Sequence, residues 1–306
     1  MIPSGQTDIL KASGRPVRTM AKPATPPALT NPKHVVAVYL ILAFGFSSFF
    51  WYLIAARPQF ATGTGIFQYS ILLLMWCPAV AAVVTRLFFQ RNLAGFGFKI
   101  GEIRWWLLAI VIPILYGLVM FGTAWISGIA PFLPDKAAAM LTLPALQAIL
   151  IALCYNIVSA TGEELGWRGL LVPELGRFTG FTQIALLSAF IWFCWHVPVM
   201  LAGGYQGPGG LGYSLVVFFL SLIGGSTLFA WIRLRSGSIW PAALLHGVNN
   251  YFIQTFYPAV TATTEAGGAM LGEFGWFFVL ISIVIGLLCW YFRSMLPAMP
   301  RPGGGL

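Results

Sequence analysis

The sequence predicts an all-α, polytopic integral membrane protein with about eight transmembrane helices and both termini in the cytoplasm. Three observations predict it. Hydrophobic residues make up 58% of the 306 positions and charged residues 8%, and mean hydropathy is +0.84. A soluble domain carries about 25% charged residues, so this chain could not clothe itself in polar surface. The apolar residues fall into eight runs near the ~20 residues that a helix needs to cross a bilayer. Finally, the basic residues alternate between the ends of those runs, as the positive-inside rule requires.

Taken in order, residues 1–33 are rich in Pro, Thr, Ser and basic residues and show no apolar period. They read as a disordered basic cytoplasmic tail, too long for a signal-peptide n-region and not expected to be cleaved. The apolar runs follow at 35–56, 67–88, 105–126, 144–165, 182–202, 212–232, 239–257 and 274–292. The seventh is the shortest and most polar, with His246, Asn249, Asn250 and Gln254. Its polarity fits a helix facing protein or water rather than lipid.

Residues 165–177 read as a short continuation of the fourth helix, stopped near Pro173. The loop 203–212 holds six glycines and no charge and reads as a flexible turn. One transmembrane domain accounts for 34–295, and 296–306 reads as a disordered tail. With the N-terminus inside, fifteen of the seventeen basic residues lie on the cytoplasmic side, and only Arg57 and Lys136 lie outside. An odd number of spans would break this alternation.

Composition also sets aside some partners and chemistries. The net charge of +9 is spread through loops, so no nucleic-acid partner is expected; the lipid bilayer is. Cys77, Cys154, Cys194 and Cys289 all lie in apolar runs without ligand spacing. They read as small buried hydrophobes rather than disulfides or thiolate ligands. There is no Walker loop, GxGxxG, GxSxG or internal repeat.

What remains is a small set of polar residues at membrane depth, where ionisable groups are expensive and mark function by default. Two of the eight acidic residues, Glu163 and Glu164, stand side by side in Ala-Thr-Gly-Glu-Glu-Leu-Gly-Trp-Arg-Gly. Glu164 and Arg168 share a helix face at i,i+4, which makes an ion pair available. Glu163 points ~100° away and stays available for chemistry. Both glutamates could instead simply cap the helix end.

His196 follows Trp192 by one turn, and Pro198 beyond it leaves a backbone carbonyl unpaired. His246 and Asn250 repeat the i,i+4 spacing in a helix that Pro241 can start and where Gly247 lets a neighbour come close. Asn249 faces elsewhere, which makes Asn250 the expected partner of His246. Either histidine could instead be a satisfied core group. Depth argues for convergence: Glu163, His196 and His246 lie ~15, 21 and 11 Å from the cytoplasmic ends of their helices at 1.5 Å rise. They read as one cavity open to the cytoplasm.

The pattern Glu163-Glu164-x-x-x-Arg168, then Trp192-x-x-x-His196, then His246-x-x-x-Asn250 resembles the CPBP family of CAAX proteases and bacteriocin-processing (Abi-type) enzymes. That family includes the type II CAAX prenyl endopeptidases. The motifs span 146–257, within a protease core of about 144–257, and the surrounding words look like typical bacterial members. Trp192 stands where the family often has Phe. The resemblance implies an intramembrane endopeptidase in a bacterial inner (cell) membrane that cuts a membrane peptide or protein substrate.

On the same resemblance, Glu163 is the general base and His196 helps activate a water. His246 and Asn250 stabilise the oxyanion, while Glu164, Arg168 and Trp192 brace the site. Glu163, His196 and His246 are also suitable types for a divalent metal such as zinc, although there is no HExxH, and the trio could work with or without one. Two other readings compete. One is a non-catalytic membrane scaffold or partner that keeps the fold. The other is a proton-coupled transporter, which would show inverted repeats that the sequence lacks.

Overall fold

The computed structural model describes residues 31–56 and 69–298, and these are helices joined by short connections. Most of the expected basic tail, the first outside loop and the end of the C-terminal tail lie outside the described residues. The long helices are α1 (Pro32–Ala56), α2 (Tyr69–Gln90), α3 (Ile103–Ser127), α5 (Leu143–Leu175), α6 (Phe181–Leu201), α7 (Gly210–Ser236) and α10 (Trp276–Tyr291). A short α4 (Pro134–Ala139) precedes α5. α8 (Trp240–Tyr251) runs on through a π turn to Ala259, and a short α9 (Glu265–Met270) follows.

Among the described residues, seven helices are long and apolar enough to cross a membrane. The seventh expected span, 239–257, is helical from Trp240 onward but is not one of these seven. It carries His246, Asn249 and Asn250 buried against protein, so apolarity does not mark it as a lipid-facing span. The first helix starts earlier than expected because Asn31 caps it. The Asn31 side chain accepts from the Lys33 N–H at 3.0 Å, and Pro32 occupies the first turn, where a missing N–H does no harm.

α5 lies at the centre, packed between α2 and α8, and α8 is also flanked by α3. Two pairs, α6–α7 and α7–α10, close the other side. Small residues set these approaches. A Cβ on Gly247 would come within 2.5 Å of the Ile157 backbone, and one on Gly162 within 2.7 Å of the Met75 carbonyl. Gly247 therefore acts as expected, and it brings His246 against the helix that carries the two glutamates. With lipid as apolar as the side chains, such close packing is what associates helices in a membrane.

Expected to stop near Pro173, α5 instead passes through it to Leu175 by way of a π turn, Trp167–Leu171. A proline ring clashes with the carbonyl four residues back, and one extra residue in the turn relieves this. The same arrangement, a π turn followed by Tyr257-Pro258, recurs after α8. At the first turn the widening has a consequence. The Val172 N–H bonds the Trp167 carbonyl, and the next donor in π register would be Pro173, which has none. The Arg168 carbonyl is left over, and Arg233 Nε on α7 donates to it at 2.8 Å. The same guanidinium donates to the Gly95 and Phe96 carbonyls at 3.0 and 3.2 Å.

Arg233→Ala would leave three backbone carbonyls without this donor, and two of them, those of Arg168 and Phe96, are buried. An unsatisfied buried group costs about 1–3 kcal/mol, so the variant is expected to lose about 3 kcal/mol, read as a lowered thermal midpoint in detergent. Arg233→Lys, unable to fork, should recover only part of this. An unchanged midpoint for Arg233→Ala would show that the clamp contributes nothing.

Candidate active site

The charged centre is built on one turn of α5. Glu164 Oε1 accepts from Arg168 Nη1 at 2.8 Å, the pair expected from the i,i+4 spacing, and both side chains are fully buried. The π turn begins between them, and it carries the Arg168 guanidinium beneath two rings. Its carbon lies 4.3 Å from the Trp192 ring centre and 4.4 Å from that of Phe229. Cation–π attraction is strongest where water is excluded. A third group joins the pair: His246 Nδ1 lies 2.9 Å from the same Glu164 oxygen. His246 is therefore tied to Glu164, whereas the spacing had suggested Asn250.

Glu163 points elsewhere, as the 100° offset requires. Its Oε2 accepts from Trp192 Nε1 at 2.7 Å and from Trp167 Nε1 at 3.3 Å. Both indoles address one oxygen, so Oε1 is left for other partners. Trp192 does more than form a wall. It bonds Glu163, covers Arg168, and meets the rings of His196 and His246 edge-on at 5.9 and 5.3 Å.

The hydrogen bonds assign the histidine protons. His196 Nδ1 lies 2.8 Å from the Trp192 carbonyl, an acceptor only, so Nδ1 carries the hydrogen and Nε2 the lone pair. His246 Nδ1 faces a carboxylate and is likewise the N–H. The Nε2 atoms of both rings are then the nitrogens available for chemistry, and that of His246 donates only when the ring is the imidazolium. Charge counting fits this state: Arg168 and one protonated imidazole offset the two carboxylates, which meets the demand for paired charge in the interior.

Glu163, Trp192, His196, His246 and Asn250 all line one cavity of about 340 Å³. Its remaining walls are mostly apolar, including Leu74, Phe218, Leu222 and Ile285. The lining extends from the glutamate to Gly204 and Tyr205 in the α6–α7 loop and to Glu273 ahead of α10. That end lies opposite the helix ends that carry Arg177, Arg233 and Arg293, so the cavity does not simply lead to the basic end as expected. Its direction follows from α6, whose pocket residues Trp192, Trp195, His196 and Val199 fall in the half farther from Phe181.

A second polar group at this end was not singled out from sequence. Tyr116 donates to Asn249 Oδ1. Asn249 Nδ2 donates to Asn250 Oδ1 at 3.1 Å and to Glu273 Oε1 at 3.2 Å, and Tyr205 donates to Glu273 Oε2. Tyr116 and Glu273 stand alone in their segments, so no spacing connects them to the motifs. The one available signal was that Glu273 is among only eight acidic residues, next to the last apolar run.

Among the described residues, no three His, Cys, Asp or Glu side chains gather closely enough to hold a metal ion. Glu163, His196 and His246 are not drawn together as a metal set in this arrangement.

A carboxylate, two imidazoles and an asparagine amide thus surround one cavity in an apolar helix bundle, the side-chain types that acid–base chemistry uses. Residues 144–252, which carry all of its motif positions, match the family model described as type II CAAX prenyl endopeptidase Rce1-like. The chain is also similar to CAAX prenyl protease 2 of Methanococcus maripaludis, with 30% identity over 99 residues. That alignment covers 31% of this chain and 36% of the relative. The family-model match thus lies in the α5–α8 core.

Removing one partner of a buried pair strands the other and costs about 3–5 kcal/mol. Arg168→Met is expected to destabilise the protein by that amount. Adding Glu164→Gln should recover much of the loss, because the amide carbonyl still accepts from His246. Thermal unfolding of the two variants in detergent checks this; equal midpoints would show that Glu164 is not a stranded charge.

Proposed function

We propose that the protein is an intramembrane endopeptidase that hydrolyses a peptide bond in a membrane-proximal peptide or protein. What carries the reading is the Glu163 carboxylate facing a cavity shared with His196, His246 and Asn250. Hydrolysis needs a base, a positioned water and donors for the developing oxyanion, and these groups supply each. Glu163 takes a proton from water held with the help of His196 Nε2. The water oxygen bonds the carbonyl carbon, and the electron pair of the C=O moves to oxygen, where His246 as imidazolium and Asn250 Nδ2 donate hydrogen bonds. Collapse breaks the C–N bond, and Glu163 returns the proton to the leaving amine.

Trp192 and Trp167 hold Glu163 in one orientation, and Glu164 with Arg168 keeps the His246 ring aligned. The largely apolar cavity wall suits apolar residues or a lipid-modified residue beside the scissile bond. The similarity to a CAAX prenyl protease makes a prenylated C-terminal peptide one substrate to test, alongside unmodified peptides. On the loop charges, both termini are cytoplasmic, a placement that terminal reporter fusions check, and the resemblance to bacterial members supports a bacterial cell membrane as its location.

The test is cleavage of quenched peptides, prenylated and unmodified, by purified protein in detergent. Glu163→Ala and His246→Ala are each expected to lower kcat by at least about 10³-fold, and Asn250→Ala by about 10²–10³-fold, the usual effect of losing one oxyanion donor. Cleavage equal in wild type and variants would sink the assignment. No cleavage by wild type across the full panel would favour the scaffold reading.

A chelator decides the metal question separately. The rate is expected to stay unchanged. Loss restored by added zinc would show that a metal draws Glu163, His196 and His246 together.

A further inference from the structure

We propose that Glu273, acting through Asn249, is a positioning residue that presents the amide N–H groups of Asn250 to the cavity. This rests on the hydrolytic reading above. It reaches beyond the matched core, since Glu273 and Tyr116, the two residues outside α8 that hold Asn249, both fall outside residues 144–252.

An asparagine amide can be turned either way, and only its neighbours decide which end faces the substrate. Asn250 can stabilise an oxyanion only if its nitrogen, the donor, faces the cavity and its oxygen is held elsewhere. The oxygen is held by Asn249 Nδ2, at 3.1 Å. Asn249 must then itself be fixed, and both of its ends are. Its oxygen accepts from the Tyr116 hydroxyl, and its nitrogen faces Glu273 Oε1 at 3.2 Å. Both Glu273 oxygens act as acceptors here, from Asn249 and from Tyr205, which matches only this orientation of Asn249.

The two Asn249 amide hydrogens are thereby used up, one on Glu273 and one on Asn250. Tyr205 secures the other Glu273 oxygen, which fastens the segment before α10 to the α6–α7 loop. The relay runs from carboxylate to amide to amide, and each Asn249 amide hydrogen in it has its own acceptor. Glu273 needs no contact with substrate to act.

Two measurements on the full chain in detergent test this. In the cleavage assay, Glu273→Ala is expected to lower kcat about 10–100-fold with KM within about twofold, the scale of a displaced transition-state group. On an Asn250→Ala background the same substitution should cost less than about twofold more, because residues that act as one unit are not additive. Glu273→Gln, whose carbonyl still accepts from Asn249, should stay within about fivefold of wild type. A full additive loss on the Asn250→Ala background overturns the proposal.

The second readout does not depend on catalysis. The chain contains five asparagines, so protein labelled with 15N-asparagine gives a small set of side-chain amide signals, with that of Asn250 identified by its absence in Asn250→Ala. Glu273→Ala is expected to shift the signals of both Asn249 and Asn250. Asn249→Asp, isosteric but unable to donate, should shift Asn250 alike and serves if Glu273→Ala does not fold. An unmoved Asn250 signal overturns the relay. A moved signal in a protein that cleaves nothing supports the relay and overturns the hydrolytic reading alone.

Discussion

The constraint on which this structure depends is the cost of charge away from water. Two carboxylates, a guanidinium and two imidazoles sit within a bundle whose outer surface is apolar. Each unpaired charge there would cost several kcal/mol, so the groups have to answer one another. Glu164 faces Arg168 and His246 together, and Arg168 faces two aromatic rings as well as its carboxylate. Satisfying the charges also orients them. Once Glu164 holds His246 Nδ1, the ring has one orientation and one free nitrogen. Stability and site geometry are here the same set of contacts.

The backbone meets a parallel demand. Proline inside a membrane helix leaves a carbonyl without a donor, and the bilayer offers no water to replace it. Around Pro173 the helix widens into a π turn, and Arg233 arrives from α7 to take the carbonyl left over. That carbonyl belongs to Arg168. The turn that relieves the proline is therefore also the turn that aims the Arg168 side chain, and a residue distant in sequence holds it in place. π turns are frequent at functional sites, and the packing here gives a physical reason: the distortion is secured by neighbours that the site already requires.

Around the cavity, aromatic residues make up for the shortage of polar ones. With only 8% charged residues, the protein has few conventional donors to spend. The indole N–H of Trp192 holds Glu163 while its face covers Arg168 and its edges meet both histidines. One side chain thus serves as hydrogen-bond donor, cation-binding face and apolar wall. The similarity to Rce1-like proteins lies in this α5–α8 region, while α2, α3 and α10 supply further cavity wall, including Met75, Tyr116 and Ile281.

Much was legible from sequence alone. Apolar run length marked the long helices to within a few residues, except the far end of α5, which runs ten residues past its apolar run, because a bilayer imposes a fixed thickness on any chain that crosses it. The Glu164–Arg168 pair and the divergence of Glu163 followed from helical periodicity, which is local geometry. Gly247 was readable as a contact point because a missing side chain in a membrane helix has few other uses. Tertiary structure decided the rest. That His246 bonds Glu164 rather than pairing with Asn250 depends on how closely α8 packs on α5. That Tyr116, Asn249, Tyr205 and Glu273 meet depends on four segments converging from across the chain, and no spacing encodes that. The cavity's extension toward the 202–209 and 271–275 loops likewise had no local signal. Local sequence sets what each helix face carries; only the packing of one helix on another decides which faces meet.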